Sequence, residues 1–304
     1  MNELNGIILL DKRKGISSNQ ALQELKYLIG AKKAGHTGSL DPMATGMLPI
    51  CLGEATKISQ FLIDQSKIYE VEAKLGQSMD TGDAEGKISG TSDIFQYKKD
   101  YWIQVTDRFL GETNQIPPMY SALKHKGKRL YKIARSGRTV ERSPRKVKIY
   151  SIDVTKILKD SIRFSVHCSK GTYIRVLVED IAKSAGMLAY TSFLRRVRVG
   201  QFDQSRMIEF GELKSKFSEY NESLNEHLIP IEHALFNFQN IKLSDTQAKK
   251  FLNGQRLHFK LNDSHDIKVF DQDKNLLGIA TQVDDSMIAP KRIFHLLTYI
   301  ILME

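Results

Sequence analysis

Cysteine is scarce in this sequence: its 304 residues include only Cys51 and Cys168, and no CxxC pair occurs. Neither a disulfide framework nor a zinc site is therefore expected, and a reducing cytoplasm is the predicted compartment. The eight histidines show no spacing typical of metal ligands.

Long hydrophobic runs are also lacking. The N-terminus, MNELNGIILLDK, has no basic region followed by a long apolar stretch, and no window reaches the roughly 20 apolar residues that cross a bilayer. Neither a membrane span nor a cleaved leader is expected. Apolar residues still make up 41% of the chain, enough to build a main domain and a smaller one.

The excess of positive over negative charge lies in one segment. The net charge is +10, and residues 124–148 contain eleven Lys or Arg against a single acid, Glu141, whereas the rest of the chain is balanced. Leu130, Tyr131 and Ile133 interleave with these charges. The segment therefore favours a polyanion, and RNA in particular, as partner. A solvated basic loop without a partner is the alternative.

Hydrophobic periodicity predicts an α+β domain in which a central mixed or antiparallel sheet is flanked by helices. Alternation over 69–75 and 164–168 indicates half-buried strands, and the apolar run 47–52 indicates a buried one. Apolar spacing over 174–182 predicts an amphipathic helix, and Ser17 and Ser18 offer a cap for the helix that follows them. The order of elements lacks the regular βαβ repeat, which disfavours a parallel sheet.

The C-terminal third has a different sequence pattern. Short apolar stretches alternate there with turn clusters such as 262–264 and 271–273, which predicts a small β-rich domain. We therefore divide the chain into a main domain over 1–211, a helical connector over 212–240 and a β-rich domain over 241–304.

One carboxylate, Asp41, stands between a glycine-rich turn and an apolar run. Gly35 and Gly38 permit a positive φ and close approach of another molecule, while Pro42 disfavours helical geometry at Asp41. The pattern predicts a carboxylate presented from a loop. An ordinary turn-initiating Asp is the alternative. A nucleotide-phosphate loop is disfavoured, because neither GK[ST] nor a dinucleotide glycine spacing is present.

The stretch 35–57, GHTGSLDPMATGMLPICLGEATK, resembles the catalytic motif of the TruB family of tRNA pseudouridine synthases. The resemblance covers roughly residues 5–200. It continues, in the family's order, in the segments 67–69 (KIY), 80–83 (DTGD), 117–124 (PPMYSALK), 168–175 (CSKGTYIR) and 194–196 (LRR).

This resemblance implies a pseudouridine synthase fold and an isomerase that converts uridine 55 in the T-arm loop of tRNA to pseudouridine after base flipping. It implies that this chemistry uses no redox or metal cofactor. It implies that Asp41 is the catalytic carboxylate, that Arg175 orients it and lowers its pKa, and that Tyr69 stacks on the flipped uracil. By residue type alone, Arg175 could instead be a surface cation and Tyr69 a core aromatic.

The resemblance further implies a substrate pocket lined by His36, Tyr173 and Leu194, with Asp83 at its rim rather than in the chemistry. By itself His36 would be an ordinary turn histidine. The insertion at about 117–148 is expected to grip the T-loop through phosphates. Its rim contacts would come from Lys124, Lys128 and Arg129.

For the remaining features, the resemblance implies a PUA-like RNA-binding domain at the C-terminus. It also implies a monomer that needs no guide RNA and no obligatory protein partner, and that in addition helps tRNA to fold. A purely RNA-binding or tRNA-folding protein, in which Asp41 is incidental, is the rival interpretation. One position departs from the family: Arg13 follows Lys12 where relatives commonly have proline, which predicts a less rigid loop.

Overall fold

The computed structural model describes residues 4–219, 224–259 and 266–296. The strands, in chain order, are β1 (Gly6–Lys12), β2 (Ala34–His36), β3 (Thr45–Leu52), β4 (Lys67–Leu75), β5 (Gln77–Met79), β6 (Ile88–Thr91), β7 (Gly111–Gln115), β8 (Lys124–His125), β9 (Lys128–Arg129), β10 (Arg145–Ile157), β11 (Ser161–Cys168), β12 (Ala189–Val199), β13 (Ile208–Glu209), β14 (Gln239–Lys242), β15 (Leu257–His258), β16 (Ile267–Phe270), β17 (Leu276–Asp284) and β18 (Met287–Ile293). The helices are α1 (Ser18–Leu28), α2 (Ser59–Ile63), α3 (Lys99–Asp107), α4 (Leu130–Arg135), α5 (Ile174–Ser184), α6 (Phe210–Glu219), α7 (Ile231–Ala234) and α8 (Asp245–Leu252), with 3₁₀ turns at Gly53–Ile58, Gln204–Arg206 and Leu224–Glu226.

A mixed sheet forms the centre of the molecule, in the order β13-β1-β3-β12-β4-β11-β10-β7, with β2 paired to β3. The pairs β1–β13 and β3–β12 are parallel, and the other pairs are antiparallel. The predicted α+β class with a mixed sheet is thereby confirmed. Strands β3 and β4 lie next to β12, which brings residues far apart in sequence to the middle of one sheet.

Helix α5 covers one face of this sheet because its apolar side chains recur at helical spacing. Ile174, Leu177, Val178 and Ile181 are buried in one cluster with the inward-facing residues of β4 and β11. Helix α1 begins as predicted after Ser17, whose hydroxyl accepts from Gln20 N at 3.1 Å. Both helices begin near the loop that carries Asp41, so the core also positions that loop.

A second, smaller sheet is built from the C-terminal third, in the order β14-β16-β17-β18-β15. The predicted β-rich character is confirmed, whereas the predicted turn at 262–264 lies outside the described residues. This sheet packs on the first one through a shared apolar cluster that includes Leu9, Ile279 and Phe294. Polar contacts reinforce the seam, since Lys57 Nζ donates to Ile293 O at 2.7 Å.

Between β3 and β4 the chain forms a 3₁₀ turn that becomes α-helical at Ser59. The basic segment, residues 124–148, contains the hairpin β8–β9 and helix α4, and its last residues open β10. Those last residues pair with β7, whereas the pairing of β10 with β11 begins at Ile149. The domain division itself stays a prediction.

Gly46 lies where β3 and β12 pair, and it has no room for a side chain. Its φ is +95°, and a Cβ would lie 2.3 Å from Arg196 O, which is main-chain. Gly15 has a similar φ of +89° but open space around it. We expect Gly46→Ala to lower the free energy of unfolding by more than about 3 kcal/mol in urea titrations, and Gly15→Ala by about 1–2 kcal/mol. Equal losses would show that backbone conformation alone, not the close approach, requires glycine.

Candidate active site

Asp41 lies on the loop between β2 and β3, and hydrogen bonds fix that loop on both sides of the carboxylate. The Ser18 hydroxyl accepts from Leu40 N at 2.7 Å and donates to Leu40 O at 3.0 Å. Beyond Asp41, Pro42 O accepts from Lys12 Nζ at 3.3 Å. The predicted loop presentation of Asp41 is confirmed, and the loop is tied to α1 and β1.

The loop stays anchored where the family's proline is replaced. Lys12 is buried, and its ammonium also donates to Ile16 O at 2.8 Å. Burial lowers the pKa of Lys12 to about 8, while the negative charge of Asp41 opposes that shift. Arg13 pairs with Glu24 of α1 at 2.8 Å. Hydrogen bonds from Lys12 and the ion pair of Arg13 with Glu24 therefore hold this turn, where relatives have the restricted backbone of proline.

Arg175 lies in the first turn of α5 and is the direct partner of Asp41. Its side chain is only 4% exposed, and Nε lies 2.9 Å from Asp41 Oδ2. The remaining nitrogens donate to Thr81 O and, at 2.7 Å, to Tyr120 O. A guanidinium held at three points presents its charge to the carboxylate in one orientation. The predicted proximity of Arg175 to Asp41 is confirmed.

Asp83 stands behind Arg175 rather than at an exposed rim. It is 4% exposed, and Oδ2 lies 3.5 Å from Arg175 Nη1. Its other oxygen accepts from Thr81 Oγ1 at 2.7 Å and from Glu85 N at 3.1 Å. The turn that carries Asp83 therefore folds inward, where Asp83 gives the buried guanidinium a second carboxylate partner. The rim role expected of Asp83 stays a prediction. Arg175 is held between two carboxylates.

The carboxylate of Asp41 remains open on one side, with 40% of its side chain exposed. Surrounding protein atoms nonetheless raise its pKa above the ordinary value, and the charge of Asp83 acts in the same direction. Arg175 and Lys12 oppose that shift by charge, and Arg175 also by its hydrogen bond. Because the folded pKa is raised, ionisation of Asp41 as the pH rises through it destabilises the fold. Arg175 limits this loss.

The residues predicted to line a pocket gather around this carboxylate. Tyr69 and Leu194 are buried in one cluster with Leu40 and Met43, on the loop of Asp41. Tyr173 precedes α5, where the Gln115 side chain accepts from its N at 2.7 Å and donates to its O at 3.0 Å. The charge of Asp41 acts on the pKa of both tyrosines, although burial is the main cause of their upward shifts.

His36 lies on β2, at the entrance to the loop of Asp41. Its Nδ1 is buried and has no hydrogen-bond partner among the described residues. Burial lowers the pKa of His36, and the charge of Arg196 lowers it further, which favours the neutral imidazole. His36 thus places a buried nitrogen without a protein partner at the start of the loop of Asp41.

The basic insertion begins at the site and extends away from it. Tyr120 contacts Arg175 through its carbonyl, whereas Lys124, Lys128 and Arg129 lie on the hairpin β8–β9. All three are exposed, and none forms an ion pair within the described ranges. These charges are free to meet phosphates.

Sequence reasoning missed two buried side chains of this region. Arg196 lies on the same face of β12 as Leu194, and Gln115 clamps Tyr173. The alternation along β12 was a usable signal, because residues 194 and 196 must share a face. Gln115 carried no signal, since its role depends on the pairing of β7 with β10.

No group of three or more His, Cys, Asp or Glu side chains is placed to hold a metal ion within residues 4–219, 224–259 and 266–296. Over the same ranges, no helix combines the length and apolarity needed to span a membrane.

Comparison with known proteins identifies the family. Residues 26–174 match the profile of the TruB family pseudouridylate synthase N-terminal domain. Residues 175–236 match the tRNA pseudouridylate synthase B C-terminal domain, and 240–294 match a second profile, pseudouridine synthase II TruB, C-terminal.

Curated relatives named tRNA pseudouridine synthase B are similar over almost the whole chain. The protein of Pseudomonas fluorescens is 44% identical over 294 residues, 96% of each chain. That of Actinobacillus pleuropneumoniae is 42% identical over 298 residues, 97% of each chain. That of Coxiella burnetii is 43% identical and covers 96% of this chain and 95% of its own.

Solved structures share the fold at lower identity. A crystal structure of a Cbf5-Nop10-Gar1 complex matches with a TM-score of 0.73 and 24% identity, over 95% of this chain and 85% of that one. An H/ACA RNP bound to a substrate RNA containing 2′-deoxyuridine matches with a TM-score of 0.72 and 22% identity, over the same shares of the two chains. From the family profiles and the extent of identity, this chain belongs to the TruB family of pseudouridine synthases.

Proposed function

We propose that this protein isomerises uridine to pseudouridine in tRNA, at position 55 of the T-arm loop. The observation that carries the proposal is the ion pair of Asp41 with Arg175 at 2.9 Å, on a loop fixed at both ends. The names of the curated relatives support the same activity. The position in tRNA rests on the resemblance of the motif around Asp41.

The reaction is an isomerisation that leaves the composition of the nucleotide unchanged, although the hydrogen on C5 exchanges with solvent. The bond between C1′ and N1 breaks, a bond between C1′ and C5 forms, C5 gives up its proton and N1 acquires one. Asp41 serves in its ionised form, and three roles are compatible with its place: attack on C1′, attack on uracil C6, or removal of the 2′ proton. All three need a negative carboxylate in a partly closed pocket, which the guanidinium of Arg175 favours.

The base must leave the RNA stack before Asp41 can reach it, which costs a few kcal/mol. Tyr69 would replace part of the lost stacking, which is worth about 1–3 kcal/mol per base. Leu194 and Tyr173 would line the pocket around the flipped uracil, and His36 would occupy the space that the base leaves. Their gathering around Asp41 supports these roles.

The partner is tRNA, gripped outside the pocket by the basic insertion. The exposed charges of Lys124, Lys128 and Arg129 would contact phosphates rather than read bases, so binding should weaken steeply with salt. The sheet formed by β14–β18 would add a PUA-like contact to the RNA, joined by the connector at 212–240. We propose a cytoplasmic monomer that acts without a guide RNA or an obligatory protein partner.

Release of tritium tests the proposal. The wild-type chain is incubated with a T-arm transcript carrying 5-tritiated uridine, and with a second transcript in which cytidine replaces the uridine at position 55. We expect tritium to be released from the first transcript. From the second transcript, which lacks the uridine at position 55, we expect no release from that position. No release, with salt-sensitive binding intact, would overturn the enzyme and leave the rival RNA-binding or tRNA-folding protein.

A further inference from the structure

Arg196 is a buried cation to which no role has been assigned so far. It lies on β12, is 1% exposed, and reaches both main-chain segments that flank Asp41. Its Nε donates to Met47 O at 2.7 Å, and Nη2 donates to Gly38 O at 3.0 Å. The side chain therefore links β12 to the turn before Asp41 and to the strand after it.

The charge of this guanidinium is not balanced by a carboxylate. Arg196 forms no ion pair in the part of the chain that the structure describes. Burial of an unpaired charge opposes folding, and an apolar side chain of similar size would fill the same space without that penalty. Packing alone therefore does not explain an arginine here.

The charge of Arg196 acts on two residues predicted to line the pocket. It acts against the rise that burial causes in the pKa of Tyr69. It also adds to the effect of burial in lowering the pKa of His36. The side chain thus contacts the backbone on both sides of Asp41 and adds its charge to the surroundings of Tyr69 and His36.

We propose that Arg196 is a positioning residue for the isomerisation: by donating to Gly38 O and Met47 O, it fixes the two main-chain segments that flank Asp41. The expected effect of Arg196 on turnover rests on the proposed function. The expected effect of its charge on the pKa of His36 can be measured without any activity.

The test compares Arg196→Gln and Arg196→Lys with a matched control, Arg195→Gln. Arg195 is the neighbouring arginine on the other face of β12, where its Nη1 pairs with Asp11 Oδ1 at 3.0 Å. We expect Arg196→Gln to lower the single-turnover rate about 10²-fold, while the Kd for the T-arm stays close to that of wild type. Arg196→Lys, which keeps the charge but not the two-point contact, should recover part of the rate, and Arg195→Gln should keep the wild-type rate.

A second readout distinguishes this role from general stability. NMR titration of His36, assigned with His36→Gln, should give a pKa below the ordinary value in wild type and a higher pKa in Arg196→Gln, because a nearby positive charge is removed. The same titration in Arg195→Gln should leave His36 unchanged.

A wild-type rate in folded Arg196→Gln overturns the positioning role. An ordinary pKa of His36 in the wild-type protein overturns the electrostatic part, and needs no variant that folds. If wild type releases no tritium, the proposed function fails. A pKa of His36 below the ordinary value would then still support the electrostatic effect of Arg196, so the two failures can be distinguished.

Discussion

Replacement of Asp41 by Asn is expected to abolish tritium release while leaving RNA binding in place. The amide keeps the shape of the side chain but can neither attack carbon nor take a proton, so we expect a loss of about 10³-fold or more in turnover. Its exposed position at the open side of the loop means that few packing contacts change. The measurement is single-turnover release of tritium, together with the Kd for the same T-arm by filter binding.

Asp160→Asn serves as the matched control, because Asp160 is also a partly exposed carboxylate paired with a cation, Lys74 at 2.5 Å. It lies outside the pocket and should leave turnover unchanged. Survival of isomerisation in Asp41→Asn would make the proposed mechanism wrong. Retention of tRNA folding assistance after turnover is lost would show that both activities reside in this chain.

Replacement of Arg175 by Gln should lower turnover by an amount second only to that caused by replacement of Asp41. It should also change the pH dependence of turnover. Arg175 lowers the pKa of Asp41 by charge and by a hydrogen bond, whereas burial and Asp83 raise it. Without the guanidinium only Lys12 still opposes those effects, so the pKa of Asp41 rises. The ionised fraction at a given pH then falls, and the acid limb of the rate profile moves to higher pH.

Profiles of single-turnover rate against pH, measured for wild type, Arg175→Gln and Arg175→Lys, check this expectation. The plateau above the acid limb should also fall about 10²-fold in Arg175→Gln, because the orientation of Asp41 is lost. Arg163→Gln is the control, since Arg163 pairs with a carboxylate, Glu72 at 2.6 Å, on an exposed part of the sheet. An unmoved acid limb in Arg175→Gln would show that Asp41 is not the titrating group.

Much of the local structure follows from periodicity. The alternation beginning at Tyr69 predicted β4, and the apolar spacing from Ile174 predicted α5, because burial of one face leaves a period of two or 3.6 in the sequence. The loop at Asp41 could be predicted for a local reason as well, the restriction that Pro42 imposes. The catalytic role of Asp41 came from the family's motif and stays a prediction.

The surroundings of Asp83 show where sequence reasoning stops. Its motif suggested a rim, and its burial against Arg175 depends on how the turn after β5 packs on α5, a contact between residues 92 positions apart. No local pattern records such a contact, since a polar residue in a turn looks the same whether the turn faces solvent or a buried cation.

The sequence by itself determined the class of fold, the loop that carries Asp41 and the charge that suits an RNA partner, since these depend on neighbours along the chain. Tertiary structure alone decided that Arg175 stands between two carboxylates and that Arg196 joins the turn before Asp41 to the strand after it. The physical reason is that a buried charge is stabilised only by partners that folding brings together from distant segments.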